Sequence, residues 1–299
     1  MSKTHYSKSF LSYEQQLEQL RSRGLIIENK TKALHLLEYI SYYRLSGYWY
    51  PLLSDKKNHI FKENATFETA FRLYCFDRKL RQMVLAEIEK IEIAVRAKIT
   101  YVMSEKYSSF WFMNKNHFIN YKVHHQFISR LKDVYNRSDE EFIGAFSKKY
   151  SNPIPPSWMI MEIVSFGTIS IMYKNLKPSK EKRIIANYFG LADVVFSKWL
   201  HSLVYLRNVC AHHTRLWNRS ISIRPPHPRR THYQWLNNTD VSNDRTYYIL
   251  SMILYFLQSI NPHNSFSKRF QELLKDYDNV DLKSLGFPDN WSEEPLWRI

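Results

Sequence analysis

The sequence predicts an all-α protein, and three observations carry that expectation. Glycine is scarce, at 6 of 299 residues. Strict apolar–polar alternation, the mark of a half-buried strand, is weak along the chain. Apolar residues recur instead at three- and four-residue spacing, the period of one helix face.

The elements follow in order. Ser12 to Arg23 reads as a first helix, with Tyr13, Leu17 and Leu20 on one face and Gly24 as its stop. Lys30 to Tyr43 reads as a second, after which the aromatic run 42–53 turns at Gly47 and Pro51. Residues 54–65 read as an exposed loop or short hairpin. Phe67 to Lys106 carries a long apolar stripe that includes Phe71, Leu80, Val84, Ile88, Ile91, Val95 and Ile99. One break is expected near Asp77, because forty residues exceed the usual helix length. Residues 121–150 hold one or two shorter helices. Pro153, Pro155 and Pro156 punctuate, and Ser157 is placed to cap a helix from Trp158 to Leu176. Ser179 to Tyr188 is short and basic. Asp193 is placed to cap the next helix, whose buried stripe is Phe196, Trp199, Leu200, Leu203, Leu206 and Cys210. Pro225, Pro226 and Pro228 make 220–240 a loop. Arg245 to Ile260 is strongly apolar, Phe266 to Tyr277 is amphipathic, and the tail with Phe287, Trp291, Pro295 and Trp297 packs back on the body. No linker is visible. Residues 1–60 are expected to form a helical appendage on one domain, 61–299.

Composition narrows the function. With 44% hydrophobic and 16% aromatic residues, the chain can build a sizeable core. Lys and Arg number 43 against 28 Asp and Glu, a formal charge of +15. Such an excess favours a polyanionic partner, nucleic acid first and anionic membrane second. The two cysteines, Cys75 and Cys210, exclude a disulfide framework and zinc-ligand spacing. The opening MSKTHYSKSF lacks the apolar core of a signal peptide, and the apolar run 247–257 is too short to span a bilayer. The expectation is a cytoplasmic protein with no membrane, metal or cofactor.

The most informative stretch is LRNVCAHHTRLWNR, residues 206–219. It lies within an acid-free run, 194–239, that carries Lys198, Arg207, Arg215, Arg219, Arg224, Arg229 and Arg230. Trp199, Trp217, Tyr233 and Trp235 are interleaved with His201, His212, His213, His227 and His232. Cations hold phosphates, rings stack bases, and imidazoles move protons near neutral pH. Read as one helix, the segment puts Asn208, His212, Arg215 and Arg219 on a single stripe. Asn208, one turn before His212, is placed to fix its tautomer. Arg207 lies roughly 140° from His212 on an ideal helix. Either its long arm wraps around, or a second copy related by a twofold axis completes the site.

This residue set suits metal-independent RNA cleavage. The ribose 2′-OH attacks the adjacent phosphate, a base removes its proton, an acid protonates the leaving 5′-oxygen, and cations stabilise the phosphorane. The candidate catalytic residues are Arg207, Asn208, His212 and His213. The candidate RNA-binding residues are Arg215, Trp217, Arg219, Arg224, Arg229 and Arg230. His213 reads equally as a second proton carrier and as a packed ring. Glu92 and Arg96, one turn apart, read as a structural ion pair or as a pair orienting the Arg207/His212 site. Arg44 among Tyr42, Tyr43, Tyr48 and Trp49 reads as a buried aromatic cluster or a base-stacking platform. Cys210 falls on the apolar stripe and reads as core. Glu87 and Glu162 lack the spacing of metal ligands.

At Arg207-Asn208-x3-His212 the chain resembles HEPN-type ribonucleases, and more narrowly the bacterial Abi-like abortive infection family of the AbiD and AbiF kind. The resemblance extends to residues 19–53, 76–99 and 155–170, and to LGFPDNW at 285–291. The Arg-x4-His spacing alone recurs by chance, but five blocks in order are specific. The resemblance implies a HEPN-like helical bundle, homodimerisation around the motif helices, and RNA cleavage as an antiphage toxin. It also implies that a small non-coding RNA can be a partner. A non-catalytic RNA-binding protein in complex with such an RNA is the main alternative, and a membrane-active toxin a third reading.

Overall fold

A computed structural model describes residues 5–298. The chain is all-α apart from one hairpin, and it divides into two compact units.

The first unit runs through Leu80 and takes in Gln271–Asp281. Helix α1, Tyr13–Ser22, opens on a capping box: Ser12 accepts the Gln15 N–H while the Gln15 side chain accepts the Ser12 N–H. Helices α2, Lys30–Ile40, and α3, Tyr42–Trp49, replace the single helix expected over 30–43. The break is Ser41, held at φ 78, whose hydroxyl caps α3 by accepting the Arg44 N–H. Gly47 lies inside α3 rather than at a turn. Strands β1, Leu53–Asp55, and β2, Ile60–Phe61, pair antiparallel with an irregular register (Leu53 opposite Phe61, Asp55 opposite Ile60). Residue 60, the expected end of an appendage, thus lies in β2. Buried Asp77 accepts a hydrogen bond from the Tyr48 hydroxyl at 2.6 Å.

Helix α4, Phe67–Lys106, runs forty residues without the break expected near Asp77. Its apolar period is continuous through that point: Leu73, Phe76, Leu80 and Val84 are all buried. Tertiary burial carries a length that isolated helices rarely reach.

The second unit comprises Arg81–Phe270 and the residues from Leu282. It contains the rest of α4, then α5, Tyr121–Asn136, α6, Glu141–Lys149, α7, Ser157–Ile163, α8, Phe166–Asn175, and α9, Lys180–Tyr188. The single helix expected over 158–176 is therefore two. Its cap is Pro156 rather than Ser157, and the second piece is capped by Ser165, which accepts the Thr168 N–H. Helix α10, Asp193–Ala211, begins after Ala192, so Asp193 is its first residue rather than its cap. Its expected apolar stripe is buried in full. Helix α11, Thr246–Ile260, is buried on all sides from Thr246 through Leu257, the pattern of a central core helix. No helix among the described residues is long and apolar enough to cross a membrane. Helix α12, Phe266–Asp276, precedes the tail. Trp297 of the tail is fully buried, stacks on Tyr247 and donates its indole N–H to Ser251 at 2.9 Å.

Candidate functional site at the end of α10

The site is built on the last turn of α10 and the segment that follows it. The helix stops at Ala211, not beyond Arg219. The stop has an identifiable geometry: the Thr214 N–H reaches the Val209 carbonyl at 2.9 Å, and the His213 N–H reaches Cys210 at 3.1 Å. These are the paired bonds of a Schellman end, with His213 in the left-handed position at φ 55 where glycine is usual. A side chain there costs about 1–2 kcal/mol.

The single stripe Asn208–His212–Arg215–Arg219 is corrected accordingly. Arg207, Asn208, His212 and His213 are all exposed around the helix end. The Asn208 amide oxygen faces the Arg207 guanidinium at 3.5 Å, and its main-chain carbonyl accepts the His212 N–H at 3.0 Å. Arg219 turns back onto α10, donating to the Tyr205 hydroxyl at 3.0 Å. Burial pushes the Tyr205 phenol up, but its hydrogen bond with Ser222 and the nearby Arg219 charge outweigh that and leave it below its ordinary value. Arg215 is half-buried. Trp217 is 3% exposed, and with Leu216 it anchors the turn in the core. A ring so enclosed offers no open face to a base, so the expected stacking role of Trp217 is withdrawn. The same holds for Trp199, which is fully buried.

Helix α4 supplies a second wall. The Glu92 carboxylate accepts from Arg96 at 2.7 Å, and both side chains are largely buried. Arg96 also donates to the carbonyls of Glu162 at 3.0 Å and Val164 at 3.1 Å, tying down the break between α7 and α8. Burial pushes the Glu92 carboxyl up, and the charges of Arg96 and Arg207 pull it only part of the way back. Arg207 thus lies within electrostatic reach of Glu92, a proximity that the i,i+4 spacing of Glu92 and Arg96 does not reveal. A Cβ on Gly167 of α8 would stand 3.6 Å from Val204 of α10, an ordinary contact, so the packing of these two helices there does not require glycine.

The upward shift of Glu92 has a pH consequence. The folded protein holds this proton more tightly than the unfolded chain does. Its contribution to stability is present below the ordinary carboxylate range and lost as pH rises through the folded value. Glu92→Gln should remove that dependence. Between about pH 4 and pH 7, the difference in Tm should move in the variant's favour as pH rises. A difference that stays constant across this range would contradict the assignment.

The proline-rich loop after the motif is pinned. The Pro226 carbonyl accepts from the Trp199 indole and the Tyr248 hydroxyl, each at 2.9 Å. Gly190 accepts from the His232 N–H at 3.0 Å and the Tyr255 hydroxyl at 2.7 Å. Trp235 packs on Trp199 with centroids 5.1 Å apart. Glu294 accepts the N–H groups of Asn237 and Asn238 at 2.7 and 3.0 Å. Arg229 and Arg230 stand exposed on this fixed loop. Arg224 is exposed but engaged with Asp244 at 3.1 Å. Asp244, just past the acid-free run, also accepts from Ser220 and Ser242. Hydrogen bonds from Ser242 and Ser220, with the Arg224 charge, hold its carboxyl below the usual range. Among the described residues, no group of three or more His, Cys, Asp or Glu is placed to hold a metal ion.

The family profile described as "Abi-like protein" matches residues 35–218, more than half of the chain and inclusive of the whole α10 end. The chain belongs to the Abi-like protein family. Membership ties this Abi-like chain to abortive infection, a form of phage defence. Comparison with curated proteins and with solved structures finds no match.

Proposed function

We propose that this Abi-like protein is an abortive-infection effector that cleaves RNA as a metal-independent endoribonuclease of the HEPN type. The observation that carries the reading is the exposed grouping of Arg207, Asn208 and His212 on one helix end. His212 exchanges protons with the ribose 2′-OH or the leaving 5′-oxygen. Arg207, with its paired donors, stabilises the phosphorane, and Glu92 and Arg96 position it. Asn208 orients the Arg207 guanidinium. A twofold homodimer across the outer face of α10, where Val194, Lys198, His201 and Asn208 are exposed, brings two such helix ends together and supplies the second proton carrier. The RNA-binding role falls to Arg215 near the helix end and to Arg229 and Arg230 on the loop, while Arg219 and Arg224 are engaged with Tyr205 and Asp244.

Product-end chemistry tests this. RNA incubated with the protein in EDTA should give 2′,3′-cyclic phosphate ends, and DNA of the same sequence should survive, since it lacks the attacking hydroxyl. Products with 3′-hydroxyl ends, or equal cutting of DNA, would overturn the mechanism. RNA retained but uncut would favour the second reading, a non-catalytic complex with a small non-coding RNA, which the fixed cations of the loop serve equally well.

A further inference from the structure

The first unit contains a cleft of about 930 Å³ between the extended segment before α1 and the helices α1 to α3. That volume lies within the range of ligand clefts. What it presents is unusual in kind. Of the four leucines in its wall, Leu20, Leu37 and Leu53 are buried and form the floor, and Leu11 is half-buried. The rings left open are phenols: Tyr6 is 75% exposed, Tyr13 43%, Tyr43 89% and Tyr50 46%. Arg23 donates to the Tyr42 hydroxyl at 3.2 Å, and the Lys56 ammonium stands 5.4 Å from the centroid of the Tyr50 ring. Lys8 also lines the cleft, and Glu38 is the one carboxylate among the described residues that do so.

We propose that this cleft binds unpaired bases of single-stranded RNA by stacking on Tyr13 and Tyr43, with Lys8 and Arg23 holding the backbone. Grooves for apolar peptides present aliphatic surface, and here that surface is spent on the floor. Open rings beside cations suit a strand whose bases are splayed and whose phosphates are charged. The +15 charge of the chain agrees in sign. The proposal rests on the RNA reading above, but concerns a separate region that grips RNA away from the cutting residues.

The test uses the full chain carrying His212→Ala, so that RNA is not consumed, and a fluorescent single-stranded oligouridylate at fixed salt. Adding Tyr13→Ala and Tyr43→Ala should weaken binding about tenfold or more. Phe at both positions should restore it; the Tyr43 ring is 89% exposed and the Tyr13 ring 43%, so Tm should fall only slightly in the Ala variant and not in the Phe one. A duplex of equal length should be insensitive to the same changes. Unchanged affinity in the Ala variant, or equal loss for the duplex, overturns the cleft assignment alone. A changed oligomeric state with unchanged RNA affinity assigns the cleft to a second copy and overturns it as well. If the His212→Ala parent retains no RNA at all, the RNA reading fails and the cleft proposal falls with it.

Discussion

His212→Ala and Arg207→Ala are each expected to slow RNA cleavage by about a hundredfold or more while leaving Tm unchanged. Both side chains are exposed at the end of α10, so their removal takes nothing from the core. Positioned acid–base groups typically contribute 10²–10⁴ in rate, and a preorganised cation on a developing anion a similar factor. The pair acts as one unit, so the double variant should be little worse than either single one. Arg207→Lys separates charge from geometry: a point charge cannot grip two phosphate oxygens in parallel, and most of the activity should stay lost. Full cleavage by both alanine variants would place the chemistry elsewhere in the molecule.

The second large effect is on stability. Gly190→Ala is expected to cost about 3 kcal/mol, from overpacking together with a left-handed backbone. Gly190 sits at φ +68, and a Cβ there would stand 2.6 Å from both the Tyr233 ring and the Tyr255 hydroxyl. Its carbonyl holds Tyr255 and the His232 N–H, so the strain falls on the loop that carries Arg229 and Arg230. RNA retention should weaken along with stability. Gly144→Ala is the control: it lies inside α6, where a Cβ meets nothing within 4 Å, and it should be neutral or slightly stabilising. Chemical denaturation of the two variants checks the contrast, and equal effects would refute it.

Much of this architecture is legible from residues alone. The buried stripe of α10, the proline-rich loop and the returning tail are all local patterns with local causes. The breaks are less legible, because apolar periodicity runs straight through them. Nothing in the spacing around Val164 shows that Arg96, 68 positions earlier, will take its carbonyl. The end of α10 is hidden for another reason. A histidine occupies the left-handed position where a glycine would have announced the stop. The site follows the same division. Arg207, Asn208 and His212 stand out by composition, whereas the proximity of Glu92 and the burial of Trp217 depend on how α4 and the core fold around them. The aromatic run 42–49 stands out in sequence, but that Tyr48 and Trp49 are buried while Tyr43 stays open beside Tyr13 depends on how α1 to α3 pack.

The anchoring of Trp297 and Glu294 gives the tail a hold on distant parts of the second unit. Glu294 fixes the far end of the loop at Asn237 and Asn238, whereas Trp199, Tyr248 and Gly190 hold it on either side of Arg229 and Arg230. A change in the tail therefore loosens one end of the basic loop and leaves its cations held.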